Sequence, residues 1–205
     1  MLNKYEEMND MEIDIIKEIG SIGNGNAATA LSGMLNTKVS MNLPKVDILE
    51  FNEALHYLGG PEDIVAAVLV EMSGEIEGIM LFILTQEFSD EILMRMLGRE
   101  KVEFTQFEEI DVSALTEVAN IMISSYINAL SSLTNVNVNL SVPQIAVNML
   151  GGILSLPMAT MGIHSDRIMM ITGQFHIENK DLDSNMLLLP NVESLNILMK
   201  KLGVE

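Results

Sequence analysis

The chain has 205 residues, 48% of them hydrophobic, enough to bury a substantial core within one or two domains. Its formal net charge of −18 disfavours nucleic acid and anionic membrane surfaces, which are bound through Lys and Arg, and favours a partner with a basic patch. With no cysteine there are no disulfides, thiolate metal sites or cysteine nucleophiles, and the polar, acidic start MLNKYEEMND without any long apolar run predicts a cytoplasmic protein with no signal peptide and no membrane insertion.

The first predicted element is a helix from Asp10 to Leu35, announced by Asn9-x-x-Glu12, in which the Asn accepts from an orphan amide and the Glu reaches back. A strand from Lys38 to Leu43 follows, punctuated by Pro44. Asn52 to Leu58 reads as a short helix, with a strand left open because the segment is short and apolar. Asp63 to Met72 and Ile76 to Thr85 form a hairpin around Ser73-Gly74, and the helix from Gln86 to Leu97 is stopped by Gly98 in a left-handed C-cap. The same order then recurs. A helix from Thr105 to Leu133 opens on the capping signal Thr105-x-x-Glu108, and a strand from Val136 to Val142 ends at Pro143. Ala146 to Leu154 carries the same helix-or-strand ambiguity, Arg167 to Ile177 pairs with Asn185 to Leu189, and the helix from Asn191 to Leu202 meets Gly203.

This order reflects a duplication. Asp14-x-x-x-Glu18-x-x-Ser21 recurs as Ser113-x-x-x-Glu117-x-x-Asn120 at a displacement of 99, and Ile22, Ala30, Leu31, Ser32, Asn36, Val39 and Pro44 meet identical residues at the same spacing. Leu81 to Gly98 aligns on Met186 to Gly203 at a displacement of 105, which implies about six extra residues in the second half. The expectation is one pseudo-two-fold domain over 1–205 made of two halves, 9–98 and 105–203. Strands joined by tight turns point to an α+β fold, a largely antiparallel sheet with the two long helices packed on it.

At about 100° per residue Ser113, Glu117, Asn120 and Ser124 share one face of the second long helix, opposite Leu115, Ala119, Met122, Tyr126, Leu130 and Leu133. In the first, Asp14, Glu18, Ser21 and Gly25 face outward and Ile16, Gly20, Gly23, Ala27, Leu31 and Met34 inward, where the glycines favour a close approach of another helix. A phosphate-cradling glycine loop is disfavoured, because no Gly-Lys-Ser/Thr follows and no strand precedes. An outward carboxamide cannot act as a strong base but can orient water, which suits phosphoryl transfer with its loose transition state. The second helix carries no Lys, Arg or His near Glu117 and Asn120, and one Glu is no metal cage, so the substrate must bring its own magnesium and cation. An aspartyl-phosphate on a macromolecule does so. A plain solvated helix face remains the competing reading. His56, His164 and His176 lack ligand spacing, Asp181-x-Asp183 reads as a solvated turn, and Met94, Met122 and Met199 read as core filling.

The doubled signature, followed in the first half by Ile22-Gly23-Asn24-Gly25-Asn26-Ala27-Ala28-Thr29-Ala30-Leu31-Ser32, resembles the CheC chemotaxis phosphatases, relatives of CheX and of the flagellar switch protein FliY. The resemblance covers nearly the whole chain. It implies a CheC-like fold and hydrolysis of the aspartyl-phosphate of CheY: Glu117 contacts the receiver's active-site lysine, Asn120 enters that site and places the attacking water, and the receiver supplies Mg2+, so the chain binds no cofactor of its own. It further implies the receptor deamidase CheD as a partner. Two signatures in one chain suit a CheC-type monomer, and the end at Glu205 leaves no room for the C-terminal switch domain of FliY. The first half departs from the pattern, with Ser21 after Glu18 where Asn is expected, which predicts an active second site and a weakened first. The rival reading is a non-catalytic adaptor that binds the phosphorylated receiver or the deamidase.

Overall fold

The computed structural model describes residues 7–160 and 167–203. The first half runs α1 (Asp10–Met34), β1 (Val39–Met41), β2 (Lys45–Glu50), α2 (Phe51–Tyr57), β3 (Ile64–Gly74), β4 (Gly78–Leu84) and α3 (Gln86–Leu97). A 3-10 turn at Phe104–Gln106 leads into the second: α4 (Glu109–Thr134), β5 (Val138–Leu140), β6 (Gln144–Met149), α5 (Leu150–Thr160), β7 (Arg167–Ile177), β8 (Lys180–Pro190) and α6 (Val192–Lys201). No helix among the described residues is long and apolar enough to cross a membrane.

The cap of α1 is the one its sequence announces. Asn9 Oδ1 accepts from the amides of Met11 and Glu12 at 2.9 and 3.1 Å, and Glu12 Oε2 accepts from the Asn9 amide at 2.7 Å. The start of α4 lies later than Thr105-x-x-Glu108 predicts. Thr105 falls inside the 3-10 turn, Glu108 is the N-cap, and Asp111 Oδ2 accepts from the Glu108 amide at 2.9 Å. Arg99, from the connection after α3, decides the matter by placing its Nη1 2.8 Å from buried Asp111.

All strand pairings are antiparallel and build one sheet in the order β1/β2, β7, β8, β4, β3, β5/β6. The pseudo-two-fold axis passes between β4 and β8. Each half's outer strand therefore pairs with the other half's hairpin: β1 and β2 on β7, β5 and β6 on β3.

The prolines do not end their strands. β2 lies outside every expected strand, and the helix-or-strand segment Ala146 to Leu154 divides into the end of β6 and the start of α5; β1 and β2 continue along one partner, from Met41 opposite Phe175 to Lys45 opposite Thr172. β5 and β6 do the same, from Leu140 opposite Met72 to Gln144 opposite Leu69. Each junction inserts one extra residue, a bulge. The amide of Asn42 donates to the Gln174 carbonyl at 3.2 Å, and Asn42 Oδ1 accepts from the Gln174 amide at 2.8 Å. Ser141 repeats this on Glu71, with both contacts at 2.9 Å. A side-chain oxygen thus replaces the carbonyl that the proline-distorted backbone withdraws from the ladder.

Alternate residues of the strands feed two cores. Val68, Phe82, Met169, Phe175 and Leu188 pack under α1, α3, α4 and α6, and Val65, Leu81, Ile83, Leu187 and Leu189 under α2 and α5. Central β4 is buried along its full length. Phe88 of α3 bridges Phe82 and Phe175 at centroid distances of 5.5 and 5.4 Å, joining the two halves through rings. Three expected placements differ. Leu133 is exposed although Leu130 and Thr134 beside it are buried, and Met94 is exposed while Met122 and Met199 are buried. Asp181 and Asp183 sit on strand β8 and not in a turn, their carboxylates engaged by His176 at 2.6 Å and Gln174 at 3.0 Å.

Candidate functional site on the outer faces of α1 and α4

The two signature helices pack on one another at their small residues. A Cβ on Gly23 would stand 2.9 Å from Tyr126 Cα, so the backbones meet where only glycine fits. On their inner sides Gly20, Gly23, Ala27 and Leu31 of α1 and Leu115, Ala119, Met122, Tyr126 and Leu130 of α4 are buried. The opposite faces are left to solvent, with Glu117 and Ser113 exposed and Asn120 half-buried on α4. On α1 Asp14 and Glu18 are exposed and Ser21 is half-buried.

Glu117, Asn120, Glu18 and Ser21 make no side-chain hydrogen bond or ion pair among the described residues. Glu117 and Asn120 lie one turn apart, so a carboxylate and a carboxamide project side by side with their hydrogen-bonding capacity unspent. Ser124, next along the stripe, is occupied instead: its hydroxyl donates to the Asn120 carbonyl at 2.6 Å. The α4 face bears no cation, and Arg99 at the helix start is held by Glu108 at 3.1 Å and Asp111 at 2.8 Å. On α1 the stripe includes Asp14, which pairs with Lys17 at 2.9 Å.

Two cavities, of about 650 and 420 Å³, are lined respectively by residues such as Glu87, Glu91 and Lys101 and by residues such as Lys45, Thr172 and Asn185; neither includes a signature residue. The signature residues stand on the outward side of a helix cylinder, which is a convex face. Such a face cannot enclose a small substrate, but it can enter the cleft of another macromolecule. Among the described residues no group of three or more His, Asp or Glu side chains is placed to hold a metal ion. His56 is exposed, His176 is spent on Asp181, and His164 lies outside the described residues.

Burial pushes the Tyr126 phenol far above its ordinary pKa and leaves its hydroxyl without a partner, like Oδ1 of Asp111. Sequence reasoning missed the Arg99–Asp111 contact and the Asn42 and Ser141 clamps. A polar residue with an oxygen-bearing side chain two positions before proline, at the same place in both halves, is the signal that would have pointed to the clamps.

The model of the CheC-like family matches residues 11–48 and again 111–147, once on each signature helix and the strands after it. The chain is 29% identical over 205 residues, 97% of each protein, to "CheY-P phosphatase CheC" of Bacillus subtilis. It is 30% identical over 143 residues to the "Flagellar motor switch phosphatase FliY" of the same organism, covering 69% of this chain and 37% of that relative. Its fold superposes on the crystal structure of Thermotoga maritima FliY with a TM-score of 0.74 at 23% identity, covering 96% of this chain and 98% of the other. The family match falls twice, about one internal repeat apart, and the likeness to the Bacillus subtilis CheC runs the full length, so this chain is similar to the CheC-like family throughout.

Proposed function

We propose that the chain is a phosphatase for the aspartyl-phosphate of a CheY-type receiver domain, acting through Glu117 and Asn120. The observation that carries this reading is the unspent carboxylate and carboxamide pair on a convex face without cations. Its relatives are named for CheY-P phosphatase activity.

In this reading α4 inserts its outer face into the receiver's phosphorylation cleft. Glu117 pairs with the receiver's lysine and fixes the approach, and the Asn120 carboxamide holds a water in line with the phosphorus. The water oxygen forms the new bond to phosphorus as the bond to the aspartyl oxygen breaks. The receiver's aspartate carboxylate is regenerated in place and inorganic phosphate leaves, the water proton passing to phosphate and solvent. Mg2+ and the cation come with the receiver, so the chain need hold neither. Both sites lie on one chain, which acts as a monomer. CheD is a proposed second partner, to be tested by co-elution.

Phosphate release from a magnesium-loaded, phosphorylated CheY-type receiver tests the reading. The native chain should shorten the phosphoryl lifetime, and Asn120→Ala should lower the turnover of the second site about a hundredfold, by analogy with the loss of one positioned polar group. Glu117→Ala should chiefly weaken receiver binding. If the native chain binds the phosphorylated receiver without shortening its lifetime, the adaptor reading replaces this one.

A further inference from the structure

Two apolar side chains, Ile110 on α4 and Val142 between β5 and β6, are exposed, and both recur in the other half. Ile110, in the first turn of α4, is 55% exposed and its counterpart Met11 is 64% exposed. Ile110 precedes Glu117 by seven residues, two helical turns, so it continues the signature stripe toward the helix start. Val142 and Leu43 are 81% and 79% exposed, each at the crest of the bulge that interrupts its half's outer strand.

A single exposed apolar residue is ordinary. These crests differ because they are held out rigidly: Asn42 and Ser141 clamp the bulges to β7 and β3, and Pro44 and Pro143 follow at once. In the second half β5 and β6, which flank the crest, both lie against α4, and in the first half the crest itself abuts α1. A Cβ on Gly20 would meet Pro44 Cγ at 2.9 Å, and Asn24 Nδ2 donates to the Asn42 carbonyl at 3.3 Å. A third repeated exposed pair, Tyr57 and Leu156, lies on the α2 and α5 layer, away from these helices.

We infer that Ile110 and Val142 are apolar anchors that seat the receiver domain on either side of Glu117 and Asn120, with Met11 and Leu43 in the same role at the first site. The inference rests on the proposed receiver phosphatase and deepens it. Glu117 and Asn120 must give up hydration to enter a cleft, so they supply orientation more than affinity, whereas a few desolvated apolar contacts carry most of the affinity of an interface. Two fixed anchors would also set the register that in-line placement of water demands. Ile110 and Val142 are positioning residues and touch no reacting atom.

The test uses the full chain with Glu18→Ala, so that the second site alone operates, carrying Ile110→Ser, Val142→Ser or both. Turnover is measured with the phosphorylated receiver, and binding with a receiver loaded with magnesium and beryllofluoride. Each serine should raise the half-saturating receiver concentration about tenfold and the pair about a hundredfold, with kcat within about twofold. Ile110→Leu and Val142→Ile should restore it, and thermal unfolding should not move because both residues are exposed. Unchanged binding in the double variant, with turnover intact, overturns the anchors while leaving the phosphatase. A native chain that binds without turnover, and loses binding with the serines, keeps the anchors and removes the phosphatase. No receiver binding by the native chain removes both.

Discussion

Ser21 places a hydroxyl where the second copy of the signature places the Asn120 carboxamide, and both positions are half-buried on corresponding helix faces. The first site therefore has the exposure of the second without its reach. In a chain silenced at the second site by Asn120→Ala, Ser21→Asn should raise phosphate release about tenfold or more, because a carboxamide then stands beside Glu18 as it does beside Glu117. A rate that stays at the Asn120→Ala level would show that another difference, such as the Asp14–Lys17 pair where α4 has Ser113 and Thr116, disables the first site. The outward placement of Glu117 and Asn120 was legible because helical periodicity alone assigns a face. The α4 cap was not, since Thr105-x-x-Glu108 and Glu108-x-x-Asp111 are both plausible boxes and a guanidinium from outside the helix chooses between them. Met94 misleads for a related reason: it lies about 200° round α3 from buried Ile92, and alignment with Met199 hides that rotation.

Between elements, the crossing of α1 over α4 governs where the signature faces point, and two glycines of α1 separate packing from propensity. Gly23→Ala would drive a Cβ to 2.9 Å from the Tyr126 backbone, which no side-chain movement relieves. It should cost about 1–3 kcal/mol, each kcal/mol lowering the midpoint by about 2–4 °C for a chain of this size. Gly25→Ala meets nothing within 4 Å on an exposed helical position and should stabilise by about 0.5–1 kcal/mol. Thermal scans of the two variants should move in opposite directions, and a Gly23→Ala midpoint equal to the native one would mean that the helices separate at little cost. The glycine run announced a close approach in the sequence, but its partner, Tyr126, belongs to the opposite half and no local pattern names it. The outer strands were misjudged likewise. Pro44 and Pro143 read as strand ends because proline donates nothing to a ladder, and the strands continue only because Asn42 and Ser141 substitute side-chain oxygens across the gap.

For the molecule as a whole, the sheet order means that duplication has interlocked the halves. β7 lies between β8 and the first half's β1/β2, and β3 lies between β4 and the second half's β5/β6, so neither half completes its own hairpin edge. Separation would also expose the β4–β8 seam, where Ile79 to Ile83 face Asn185 to Leu189, and the α1–α4 contact. Ion pairs cross the same boundary: Glu91 of α3 is bound by Lys180 at the start of β8, and Arg95 by Glu178 in the β7–β8 turn. Fragment 1–101 on its own should therefore not form a folded monomer, since unpaired backbone and a bisected core cost far more than a half-sized core returns. It should be unfolded, or form a symmetric dimer in which β1/β2 of each copy takes the place of β5/β6 on the other's β3. Light scattering after gel filtration and far-ultraviolet circular dichroism distinguish these states. Mixing 1–101 with 102–205 should regenerate the native spectrum and, with it, phosphate release dependent on Asn120, because α4 is presented outward only when α1 fills the space behind it. A monomeric 1–101 that unfolds cooperatively would mean that the crossed strands decorate a self-sufficient half, and the signature face of α4 would then depend on its own half alone.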